Sequence, residues 1–149
     1  MNFLARSIVL FNSIALFMPK RLSKLEIYST ALFSGVLQLL TDFAFISVYG
    51  FYSYFNKLAD LRTLLITFGI FPALNTIYLN FFPFSRGNRS KGLYILGWSV
   101  FAILFELRCI RHGVFIYRNW KSWYSALLYP LVFLLLIGNL FFLQKLKRY

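Results

Sequence analysis

Apolar runs close to the ~20 residues needed to cross a bilayer recur along this chain, separated by polar segments too short to form a soluble domain. That pattern restricts the chain to a stack of membrane-crossing helices. The expected fold class is all-α, a polytopic transmembrane helical bundle of five spans, with four as the fallback count. The spans are read at about 3–18, 27–48, 61–82, 92–110 and 123–143, in a single integral membrane domain over residues 1–149. Composition agrees: 60% of the 149 residues are hydrophobic and only 13% are charged, about half the share typical of soluble domains.

The first run, interrupted by Arg6 and Asn12, resembles a signal peptide in length. Its heavier positive charge follows the apolar stretch, at Lys20 and Arg21, and no small-x-small cleavage site is present. It is therefore read as an uncleaved first helix. The fourth run is short unless it extends toward Ile110.

The net charge of +12 would suggest nucleic acid in a soluble protein. Here the lysines and arginines cluster at the ends of apolar runs, where they meet lipid phosphates, and no nucleic-acid partner is expected. Nine of the sixteen basic residues lie on the side of the carboxyl terminus, from Lys20 through Arg86 to Arg148. The positive-inside rule then places the amino terminus outside and the carboxyl terminus in the cytoplasm. On this topology the sequon Asn88-Arg89-Ser90 is cytoplasmic and a chance match.

The aromatic stretches Tyr49 to Phe55 and Arg108 to Tyr124 fall on one side. Tyr52, Tyr54, Tyr117, Trp120, Trp123 and Tyr124 are expected there as interfacial anchors, rings at the headgroup level with polar tips in water. Each stretch also follows an acid. Asp42 precedes Gly50-Phe51-Tyr52-Ser53-Tyr54, and Glu106 precedes Gly113-Val114-Phe115-Ile116-Tyr117. Pro72 and Asn80-Phe81-Phe82 are echoed by Pro130 and Asn139-Leu140-Phe141-Phe142. The matches suggest that spans two and three repeat as spans four and five, in the same orientation.

Asp42, inside "LQLLTDFAFI", is the residue most at odds with its surroundings. An Asp near a helix centre costs ~2.5–3.5 kcal/mol on the insertion scale, while each large apolar residue returns ~0.3–0.6 kcal/mol. It should face protein, with Gln38 one turn earlier on the same face. One reading makes Asp42 a proton-carrying or ion-binding site, and the other a helix-to-helix polar contact with Asn75 or Asn139. Pro72 removes a backbone donor three residues before Asn75, so a kink with exposed carbonyls is expected there. Glu106, near its helix end, either reaches interfacial water or pairs with Arg111, or it joins Asp42 in lining one polar cavity. The candidate intramembrane polar site is thus Asp42, Gln38, Asn75 and Glu106.

No catalytic residue, metal site or cofactor is expected. The single cysteine, Cys109, and the single histidine, His112, supply neither a disulfide nor a metal-binding pair, and no glycine-rich phosphate loop is present. Ser34-Gly35 with His112 is too widely separated for a serine nucleophile and its base.

The chain resembles an uncharacterised family of small polytopic integral membrane proteins of spore-forming Gram-positive bacteria. The resemblance covers most of the chain. It rests on Asp42, on Pro72-x-x-Asn75 running into Leu79-Asn80-Phe81-Phe82-Pro83-Phe84, on Glu106 with Gly113, and on Trp120-Lys121-x-Trp123-Tyr124-Ser125-Ala126 with Tyr129-Pro130. It implies a multi-pass protein of the bacterial cell membrane and carries over no functional residue. The expected function is an interaction, accessory or structural membrane component, not an enzyme. Its partners would be the lipid bilayer and a membrane-protein partner or a second copy. The alternative is a small proton-coupled or ion-conducting transporter using Asp42 and Glu106.

Overall fold

A computed structural model describes residues 2–55 and 61–148. The chain is an all-α bundle. Its helices are α1 (Asn2–Phe17), α2 (Lys24–Asp42), α3 (Arg62–Gly69), α4 (Phe71–Asn80), α5 (Asn88–Arg111) and α6 (Ser122–Leu146). Four helical segments are long and apolar enough to cross a membrane: Lys24–Val48, Arg62–Asn80, Asn88–Arg111 and Ser122–Leu146. With 16 residues, α1 is ~24 Å long and falls short of that length. The fourth run does extend, reaching Arg111.

Local chemistry sets the helix ends. Ser23 caps α2 through a capping box, its hydroxyl accepting from the Glu26 amide while the Glu26 carboxylate accepts from the Ser23 amide. Lys147 approaches the same carboxylate at 3.5 Å, fastening the end of α6 to the start of α2. After Asp42, α2 widens into a π-helical turn, Phe43–Val48. Pro72 falls where the third span breaks into α3 and α4. There the Asn12 side chain donates to the Gly69 carbonyl at 2.6 Å, and Ile8 packs so closely that a Cβ on Gly69 would lie 3.2 Å from it. The polar interruption of the first run is therefore a partner for the break, as buried backbone polar groups require.

The helices alternate in direction. At one end the Phe3 ring stacks on His112. At the other, Asn80 accepts from the Arg21 amide at 2.7 Å and donates to the Pro19 carbonyl at 2.9 Å, clamping the turn between α1 and α2. Two apolar clusters fill the interior. One joins Leu4, Phe11, Ile66 and Ile70 to the aromatic end, and the other surrounds Tyr78, Leu79 and Leu140. The outward faces carry exposed Leu10, Leu40, Leu93, Leu104, Leu127 and Leu134, as expected of helices solvated by lipid.

The two aromatic stretches hold the strand pair among the described residues. Strands β1 (Tyr52–Tyr54) and β2 (Phe115–Tyr117) pair antiparallel, Tyr52 opposite Tyr117, Ser53 opposite Ile116 and Tyr54 opposite Phe115. Each strand follows a glycine with positive φ, +61° at Gly50 and +67° at Gly113, a conformation costly for other residues. Ser53 and Ile116 both stand three residues after their glycine, so the paired strands have the two-fold relation that a repeat predicts. The acid precedes the glycine by eight residues in the first unit and seven in the second. That extra residue coincides with the π turn, the usual way a helix absorbs an insertion.

Candidate functional site

Asp42 ends the regular part of α2 and is buried, with 7% of its surface exposed. Its Oδ1 accepts from Gln38 Nε2 at 2.9 Å, from the Tyr52 hydroxyl at 2.9 Å and from the Tyr54 hydroxyl at 3.4 Å. Gln38 sits one helical turn before Asp42, as its spacing predicts. The two tyrosines come from β1, whose short turn after Gly50 folds them back beneath the helix end. Asp42 Oδ2 is buried without a partner.

Glu106, at 8% exposure, lies within the last two turns of α5. Its Oε1 accepts from the Tyr117 hydroxyl of β2 and from Ser125 Oγ at 2.7 Å, and its Oε2 accepts from the Tyr129 hydroxyl. Ser125 in turn accepts from the Trp120 indole at 2.8 Å. Ser125 and Tyr129 are one turn apart at the start of α6, so one helix face delivers both. No ion pair forms with Arg111, which is exposed at the end of α5 while Glu106 is buried.

Each acid is therefore gripped by the strand that follows it, and the strand pair joins the two grips. Tyr52 lies near enough to Glu106 to feel its charge. Burial, then the Asp42 charge and hydrogen bond, then Glu106, hold the Tyr52 hydroxyl protonated far above its ordinary range. Tyr54 is raised in the same direction by burial and by Asp42. Tyr117 is pushed up to about 12 by burial and by its hydrogen bond to Glu106. These phenols stay donors at any physiological pH, matching the acceptor-only chemistry of a carboxylate.

Of the residues expected as interfacial anchors, Tyr52 and Tyr54 are instead interior donors, at 5% and 6% exposure. Both hydroxyls turn to the buried carboxyl of Asp42. Tyr117 and Trp120 are half-buried and also serve the Glu106 network, while Trp123 is 57% exposed. Tyr124 packs its ring on Trp120 and Trp123. Asn75 does not pair with Asp42. Its amide donates to the Thr30 carbonyl on α2 at 2.9 Å, and its Oδ1 is buried without a partner. Ser125 and Tyr129 were not among the sequence candidates, although their spacing ahead of Pro130 places them level with an acid on the neighbouring helix.

A cavity of ≈ 170 Å³ lies between the helices at this level. Its polar lining includes Gln38, Tyr52, Tyr54, Asn75, Glu106 and Tyr129 beside three hydroxyl residues, Ser34, Thr41 and Ser125, and the rest is largely aromatic and aliphatic. Asp42 stands just behind the wall, reached through the three side chains that donate to it. No lysine, arginine or histidine lines the cavity among the described residues. The described residues also hold no cluster of three His, Cys, Asp or Glu side chains that would bind a metal. No family model matches the chain, and no curated protein or solved structure matches it.

Proposed function

We propose that this chain is a multi-pass protein of the bacterial cell membrane that acts as a small proton-coupled or ion-conducting transporter, with Asp42 and Glu106 as its charge-carrying groups. The observation that carries this reading is the placement of two buried carboxyl groups at one cavity with hydroxyl donors and no cationic partner. Buried charge is costly to keep for packing alone, since apolar residues of similar volume would fill the same space more cheaply. A carboxyl is a group that can exchange a proton for a cation, and the hydroxyls around these two supply hydrogen bonds to it. The paired strands bring the tyrosine hydroxyls of the two networks to one end of the bundle.

The orientation follows the basic residues. Lys20, Arg21, Lys24, Arg86, Arg89 and Lys145 belong to the helix ends opposite the strand pair. That end faces the cytoplasm, and the strand pair lies toward the outer surface.

Reconstitution into liposomes tests the reading. With a pH-sensitive dye enclosed and a potassium diffusion potential applied, proton or monovalent-cation flux should exceed that of protein-free vesicles and should fall in Asp42→Asn and Glu106→Gln. Flux equal to that of empty vesicles under every gradient would refute it. The chain would then be better read as an accessory or structural component, identified by a stoichiometric membrane-protein partner or a second copy on purification in mild detergent.

A further inference from the structure

The wall of the cavity is more selective than a water-filled passage requires. The chain carries 16 basic residues against 4 acidic ones, yet the cavity has Glu106 on its wall, Asp42 directly behind it and no base among the described residues. In so cationic a protein, this concentration of negative charge repels anions and draws cations. Trp98, Phe101, Phe105, Phe115 and Trp120 line the same space. Their ring faces attract a cation that has shed its water, and they solvate an apolar group equally well.

Asn75 also lines the cavity, but its donation to Thr30 holds it ~18 Å along α2 from the level of Asp42, at the far end of the space. The head group of a ligand is therefore left to Glu106, whose carboxyl accepts N–H donors. The volume sets the size of the rest. An engineered apolar cavity of about 150 Å³ holds one benzene ring, and the cavity here is ≈ 170 Å³.

We propose that the cavity is a binding site for a small amphiphilic primary ammonium, one ring or a comparably compact alkyl group in size. The ammonium is held by Glu106 and its apolar part by the aromatic wall. This rests on the transport reading only in naming the cargo; the site itself stands on its lining. Anions find no base to bind, and a bare metal ion finds no ligand cluster. A quaternary ammonium suits the rings but has no proton to offer Glu106.

Benzylammonium is the probe. Titrated into the purified protein in detergent at neutral pH, with no gradient present, it should bind saturably by calorimetry and change the fluorescence of the tryptophans. Benzyl alcohol and benzyltrimethylammonium should bind about tenfold or more weakly, and benzoate not measurably, because each forfeits the charge or the N–H donors. Glu106→Gln should weaken benzylammonium by a similar factor. The comparison of ligands on the unaltered protein holds even if that variant misfolds. Equal binding of benzyl alcohol and benzylammonium, or no saturable binding of benzylammonium, would overturn the proposal. Binding without flux in liposomes would sink the transport reading and keep the site, whereas flux without binding would do the reverse.

Discussion

Replacing Asp42 by leucine should destabilise the bundle far more than replacing it by asparagine. Asp42 Oδ1 accepts three hydrogen bonds, and removing it strands their donors at different costs. Gln38 keeps a partner, since its Nε2 also reaches the Tyr54 hydroxyl at 3.3 Å. The Tyr52 and Tyr54 hydroxyls are left buried without an acceptor, at ~1–3 kcal/mol each, or ~2–6 kcal/mol together. Partners found by the unfolded chain within the membrane bring this toward the lower figure. Asparagine keeps an acceptor at Oδ1 and places an NH₂ where Oδ2 has no partner. Its cost is one unsatisfied donor, ~1–3 kcal/mol at most. The assay is reversible unfolding in mixed micelles with increasing denaturing detergent, followed by tryptophan fluorescence. The expected order of stability is wild type, Asp42→Asn, then Asp42→Leu. An Asp42→Leu protein as stable as wild type would refute the argument, because it would mean that the tyrosine hydroxyls are not committed to this carboxyl.

Other outcomes follow from the same geometry. Gly113→Ala should cost ~1–2 kcal/mol from positive φ alone, because nothing lies within 4 Å of the added Cβ; in the same unfolding assay Gly113→Asn should recover part of that loss. Tyr117 titrates at about 12, above its ordinary value near 10, so its contribution to stability is fully present below pH ~10 and is lost as pH rises through about 12. Tyrosinate absorbance against pH should show a delayed fraction that shrinks in Tyr117→Phe, and an undelayed curve in the intact protein would contradict the burial. With Cys109 replaced, an impermeant thiol reagent on intact cells should label a cysteine at exposed Asn119 and not one at exposed Asn88, and the opposite pattern would reverse the orientation.

Much of the architecture was legible because helix length and hydropathy are local properties. The ends of the Lys24–Val48 segment and of α6 fall within three residues of the expected spans, and the Pro72 break lies where a missing donor must be accommodated. Asp42 and Gln38 were readable as a pair because a single helix fixes their spacing. The strand pair was not, since its halves lie more than sixty residues apart and three alternating residues carry almost no periodic signal. Aromatic rings with polar tips suit a headgroup belt and a buried hydrogen-bond network equally well by composition. Only the fold of the turn after Gly50 distinguishes them, by turning Tyr52 and Tyr54 inward. Ser125 and Tyr129 escaped notice for a related reason: their partner is an acid on a different helix, and no single-helix pattern connects them.

The two acids are alike in setting but differ in how their donors are supplied. Counting from the glycines, Tyr54 and Tyr117 occupy the same position, and each donates to the acid of its own unit. Tyr52, the second donor in the first unit, corresponds to Phe115, which has no hydroxyl. Counting from the prolines, Tyr129, a donor to Glu106, corresponds to Phe71. Each unit therefore has a tyrosine where the other has a phenylalanine, and all four of these rings line the cavity. The result is an unequal pair. Asp42 has its donors crowded on one oxygen and the other oxygen unsatisfied behind the wall, whereas Glu106 has donors on both oxygens and lies on the wall itself. A symmetric pair would present a cation with two equivalent positions. The exchange of Tyr for Phe makes Glu106 the group that meets a ligand and leaves Asp42 to set the field behind it.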